Sequence, residues 1–190
     1  MKAKEGKFLV FFIITFFVAI SCISASDSLH SSFVDVTYSF GRQYIFYDNT
    51  NTYTNRTTSG LGSGFEYNYA LKPDSTYIGA GASLELYDFS SFHEYKDLKI
   101  SATVKQYVYA LEDVNLNLTG GAGVDLVFRE DGDFGLYFLG RLGLEAVFPA
   151  TEKFGVVVHT SGEYTNQKGS WLLHVVGSAG FRVYLGGENE

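Results

Sequence analysis

The chain has 190 residues, a formal net charge of −7 and an unusual composition, with 17% aromatic residues, 21 Gly, 14 Tyr and 17 Phe against 2 Pro. Such a length holds one domain, with no room for a separate catalytic module. The acidic balance excludes nucleic acid as a partner, because phosphate binding needs a basic footprint.

The chain opens on what reads as a secretory signal peptide over residues 1–25. Lys2, Lys4 and Lys7 form a positive n-region, and Phe8 to Ile20 an apolar h-region shorter than a bilayer-spanning helix. Small residues follow at Ser24, Ala25 and Ser26, where cleavage is expected. Cys22 is the only cysteine. Ala19-Ile20-Ser21-Cys22 partly matches a lipoprotein cleavage box, although Ala19 stands where a larger aliphatic residue is usual. Cleavage after Ala25 instead removes Cys22 with the signal, and excludes disulfides, thiolate metal sites and cysteine nucleophiles.

Residues 26–190 read as one all-β domain of eight strands, each alternating apolar and polar residues with a period of two. The first, about 32–41, turns Val34, Val36, Tyr38 and Phe40 one way and Asp35, Thr37 and Ser39 the other. The second, 60–71, sets Leu61, Phe65, Tyr67, Tyr69 and Leu71 against Gly62, Gly64, Glu66 and Asn68. In the third, 76–87, Ile78, Ala80, Ala82 and Leu84 oppose Gly79, Gly81, Ser83 and Glu85. The fourth, 98–109, has Leu98, Ile100, Val104 and Val108 against Lys99, Ser101, Thr103 and Lys105.

The fifth, 114–128, opposes Leu116, Leu118, Val124, Leu126 and Phe128 to Asn117, Thr119, Gly121, Gly123 and Asp125. The sixth, 134–148, opposes Leu136, Phe138, Leu142, Leu144 and Phe148 to Tyr137, Arg141, Gly143 and Glu145. The seventh, 155–164, is weakest, with Val156, Val158 and Tyr164 against His159, Ser161 and Glu163. The eighth carries Trp171, Leu173, Val175, Ala179, Phe181, Val183 and Leu185 on one face and His174, Val176, Ser178, Gly180 and Arg182 on the other.

A second face this polar and glycine-rich is no conventional dry core. The pattern predicts an antiparallel up-and-down barrel with its apolar side in lipid. Connections alternate in length: short at 72–75, 111–113 and 149–154, longer at 42–59 and 88–97, as in barrels with short periplasmic turns and long outer loops. Aromatic residues fall at strand ends, with Tyr38, Phe40, Phe128, Phe134, Tyr164 and Trp171 as one belt. Tyr67, Tyr69, Phe148, Phe154 and Phe181 form the other.

Eight tilted strands enclose a space that side chains largely fill. The expected lumen network consists of Asp35, Glu66, Glu85, Asp125, Glu145 and Glu163 opposed by Lys99, Lys105, Arg141 and Arg182. Hairpin registry pairs Glu85 with Lys99 and Asp125 with Arg141, and closure brings Asp35 to Arg182. Desolvation leaves few buried charges unpaired, so a salt-bridge plug is expected over a conducting pore. The inward glycines leave room, however, for some water path.

His159, Ser161 and Glu163 point the same way and are the raw material of acyl transfer. Residues i and i+2 nevertheless lie roughly 6.5–7 Å apart on a strand, beyond the about 2.6–3.2 Å a nucleophile and base require. His159 with His174 as a metal pair is weighed and set aside for the same lumen network. Asn55-Arg56-Thr57 and Asn117-Leu118-Thr119 match the glycosylation sequon, a short and weak pattern. No catalytic, cofactor or metal residue is assigned.

Ser178-Ala179-Gly180-Phe181-Arg182-Val183-Tyr184-Leu185 resembles the last-strand assembly signal of bacterial outer-membrane proteins, carried here by Gly180, Val183 and Leu185. Members usually end in Phe, whereas this chain continues through Gly186 to Glu190. With the export signal and eight amphipathic strands, the chain is similar to the small eight-stranded outer-membrane barrels of the OmpA, OmpX and OmpW kind. That resemblance implies residence in the outer membrane of a Gram-negative-type bacterium, and insertion by the barrel-assembly machinery after passage with periplasmic chaperones. The leading functional expectation is a non-enzymatic envelope protein in contact with outer-membrane lipid. Its loops at 42–59, with Tyr44, Phe46, Tyr47 and Tyr53, and at 88–97 would meet extracellular proteins or glycans. A narrow channel for small or hydrophobic molecules is the alternative. A soluble or lipid-anchored barrel binding an apolar ligand would need the opposite polarity.

Overall fold

The computed structural model describes residues 32–47, 56–72, 75–88, 95–111, 114–129, 132, 134–167 and 170–185. The expected signal peptide, Cys22, Tyr53, Asn55 and the tail from Gly186 lie outside them. Eight strands run in chain order: β1 (Ser32–Tyr47), β2 (Arg56–Lys72), β3 (Thr76–Asp88), β4 (Tyr95–Leu111), β5 (Val114–Arg129), β6 (Phe134–Thr151), β7 (Phe154–Gln167) and β8 (Ser170–Leu185). Each pairs antiparallel with its neighbours and β1 pairs with β8, which closes the barrel. Closure leaves no unpaired edge, the condition for strands to cross a bilayer.

Alternation carries through as a polarity. Leu142 on β6 is 63% exposed and Val175 on β8 47%, while Asp35 and Arg182 are 2% and 3% exposed. Water would not tolerate so continuous an apolar exterior, so this band requires lipid. Near the end that carries both termini, Val34 and Leu185 stand on the outward side of the alternation yet are buried. They pack with Val36 and Val183 into an apolar cluster across the closing seam.

The strands are longer than the alternation predicts. β1 runs on through Tyr44, Phe46 and Tyr47, β2 begins at Arg56, and β4 begins at Tyr95. Of the expected loops, the parts at 48–55 and 89–94 lie outside the described residues. Crossing a bilayer takes ~9–11 tilted residues, and these strands have 13 to 18. Their ladders continue past the lipid, where an apolar outer face is no longer required and the period-two signal fades.

Three register shifts sit beside the short turns, at Ala70/Lys72, Tyr107/Tyr109 and Pro149/Thr151. A barrel rim is where bulges concentrate, and Pro149 falls at one of them, where a missing N–H costs no regular ladder bond. Phe154 stacks on Phe181 with ring centroids 5.3 Å apart near this end. At the opposite end Phe128 and Phe134 meet at 5.4 Å across the β5–β6 connection. These contacts fall within the two aromatic groups expected at the membrane surfaces.

Close approach inside the barrel accounts for two glycines. A Cβ at Gly180 would collide with the Val36 carbonyl oxygen, and one at Gly123 with that of Ile100. In the small lumen these positions have no space for a side chain, so Gly180 is needed by packing whatever its part in assembly.

Candidate functional site: the charged lumen

Inward positions bring ionic side chains from opposite walls into two layers. The layer nearer the termini is built on Asp35 of β1, whose Cα partner across the seam is Arg182 of β8. Arg182 Nε and Nη2 donate to the two Asp35 oxygens at 2.7 and 2.8 Å, a bidentate fork. Arg182 Nη2 also reaches Glu145 Oε1 at 2.7 Å. Lys105 Nζ bridges Asp35 Oδ2 at 2.6 Å, Glu145 Oε2 at 2.7 Å and Glu66 Oε1 at 2.9 Å. Arg141 closes the circuit on Glu66, and Asn117 Nδ2 donates to Glu145 Oε1 at 2.9 Å. Three carboxylates meet three cations. The Arg182 guanidinium also lies 3.7 Å from the Phe33 ring centroid.

In the second layer Lys99 Nζ donates to Glu85 Oε2 at 2.8 Å and to Glu163 Oε2 at 2.5 Å. The Tyr87 hydroxyl donates to Glu85, and the same oxygen stands 3.1 Å from His174 Nδ1. Ligand-type atoms of Glu85, Glu163 and His174 lie within 4.8 Å of one another. The Lys99 ammonium already bonds both carboxylates of that trio. Asp125 accepts from Thr165 Oγ1 at 3.4 Å. Asp97, expected in a loop, lies on β4, is 1% exposed and faces inward.

A cavity of about 80 Å³ lies between the layers, lined in part by Thr37, Ser39, Ser83, Ser101, Thr119 and Ser161. It has room for a few waters. Apolar groups are buried in the lumen as well, Phe33 and Val147 toward the termini and Val127, Leu139, Val157 and Val176 among the polar groups. They fill the narrow tube where a further unpaired ion would carry a desolvation cost.

Of the pairs expected from registry, Glu85 meets Lys99 and Asp35 meets Arg182. Asp125 does not meet Arg141. Its Cα partner on β6 is Tyr137, and Arg141 stands opposite Gly121 and reaches across to Glu66. Arg141 finds its partner across the lumen rather than along its hairpin, and that choice depends on closure. Sequence reasoning also passed over Asp97, Tyr87 and Thr165. Continuing the alternation of β3 and β4 two residues upward would have found the first two.

The His159, Ser161 and Glu163 set is not wired for acyl transfer. His159 Nε2 stands 3.0 Å from Thr119 Oγ1, Glu163 bonds Lys99, and Ser161 Oγ has no hydrogen-bond partner among the described residues. His159 and His174 serve different partners.

No protein-family model matches the sequence, and no curated protein matches it closely. The fold, by contrast, is similar to solved structures. Neisserial surface protein A (NspA) superposes with a TM-score of 0.61 at 12% identity, over 80% of this chain and 96% of that one. Ail, the attachment invasion locus protein of Yersinia pestis, does so with a TM-score of 0.54 at 15% identity, over 80% of this chain and 99% of that one. Closed eight-strand topology and an apolar exterior give this chain the fold of the small eight-stranded β-barrels to which these neighbours belong.

Proposed function

We propose that this is a non-enzymatic integral outer-membrane protein with a structural, envelope role, presenting the segments 48–55 and 89–94 to external proteins or glycans. The observation that carries the reading is the lower charge layer: Asp35, Glu66, Lys105, Glu145 and Arg182 join strands on opposite walls. Such cross-links brace a thin cylinder and obstruct its axis. Assembly machinery and periplasmic chaperones would deliver the chain, with Gly180, Val183 and Leu185 as the recognised element. Residues 1–25 would act as the export signal.

A narrow channel is the second reading, favoured by the cavity between the layers and by inward Gly64 and Gly81 on its wall. Planar-bilayer recording separates the two. The structural reading predicts a flat baseline from purified, heat-modifiable protein. Reproducible unitary currents that change in size in Lys105→Met would establish transport instead.

A further inference from the structure

Among the side chains that the structure describes, the second charge layer gathers four buried carboxylates, Glu85, Asp97, Asp125 and Glu163, around Lys99. Lys99 is committed to Glu85 and Glu163. Asp97 lies directly opposite Glu85 in the β3–β4 ladder, and Asp125 is opposite Lys99, two residues from Asp97 along β4. Like charges directly across a ladder repel. Yet among the described residues neither oxygen of Asp97 has a hydrogen-bond partner, and nor has Oδ1 of Asp125, although these residues are 1% and 0% exposed. Asp97 stands on the inward side of β4 opposite Glu85 and is 1% exposed, so its carboxylate lies inside the lumen beside this cluster. The lower layer, with equal numbers of carboxylates and cations, shows what a matched set looks like in the same tube.

We propose that Asp97 and Asp125 hold a hard divalent cation, which supplies the positive charge that Lys99 cannot. The free donors are carboxylate oxygens, with the Thr165 hydroxyl beside Asp125, and an all-oxygen set selects a hard ion over zinc or copper. The donors are fixed on β4, β5 and β7 of a closed barrel, which favours Ca²⁺, tolerant of irregular geometry, over Mg²⁺, which demands a near-ideal octahedron. The ion would tie three strands together near the end facing away from the termini. The Glu85, Glu163 and His174 trio is not the site, since the Lys99 ammonium already bonds both of its carboxylates.

The test uses the full-length barrel, folded in detergent, stripped with chelator and titrated with CaCl₂. Calorimetry should find one Ca²⁺ bound per barrel, and Mg²⁺ should compete weakly. Asp97→Asn with Asp125→Asn should weaken binding by about 100-fold or more, given that even outer-shell partners of a metal cost 10–100-fold when lost. The variant should keep its heat-dependent gel shift, because two neutral amides replace two uncompensated ions of the same shape. No Ca²⁺ binding by wild type, or binding unchanged in the double variant, would overturn the proposal. So would a protonated-carboxylic infrared band in the wild type that vanishes in Asp97→Asn, since a shared proton would then fill the role.

Discussion

Replacing Arg182 by Met should destabilise the folded barrel by about 3–5 kcal/mol, the usual cost of removing one partner from a buried ion pair. The guanidinium holds Asp35 through a planar fork, reaches Glu145 as well and covers the Phe33 ring. Met keeps much of the volume but no donor, so Asp35 retains only Lys105 and a seam residue loses its cross-barrel anchor. Urea unfolding in lipid vesicles, followed by tryptophan fluorescence, gives the number. Adding Asp35→Asn to Arg182→Met should recover a substantial part of the loss, because the orphaned charge goes with it. If the single variant unfolds with wild type, the lower layer is not a brace and the structural reading loses its support.

Val183→Asp combined with Leu185→Asp should abolish insertion. Leu185 packs with Val34, Val36 and Val183 across the β1–β8 seam, and truncating a buried leucine costs ~2–5 kcal/mol before any charge is considered. Two carboxylates there would face only the apolar side chains of Val34 and Val36 within the cluster, and the cost of desolvating them adds to the lost packing. The unheated sample should migrate as unfolded protein and appear in soluble or aggregated fractions, while Leu185→Met should behave as wild type. An unperturbed gel shift in the double variant would remove both the seam cluster and the terminal element from the account.

Strand number, order and polarity were legible because lipid outside and a narrow tube inside enforce a strict period of two. Leu136, Phe138, Leu142 and Leu144 alternate with Tyr137, Arg141 and Gly143, and no other arrangement satisfies both faces. What was not legible depends on closure or on water. Arg141 chooses Glu66 over its registry neighbour because the two meet only once β2 and β6 face each other across a lumen. The extensions of β1, β2 and β4 lie beyond the lipid, where either face tolerates polar residues, and Asp97 was hidden there in what read as a loop. Asp35 and Arg182 were the exception among long-range pairs, since an up-and-down barrel must join its first strand to its last.

The central claim is the inverted polarity, and a membrane-dissolved photolabel reads it without altering the chain. Wild-type protein in vesicles carrying a carbene-generating lipid would be irradiated, digested and mapped by mass spectrometry. Adducts on Phe138, Leu142 and Val175, with none on Asp35, Glu145 or Arg182, are predicted, even though carbenes insert readily at carboxylates. Labelled Asp35 or Glu145 with Leu142 and Val175 untouched would contradict it.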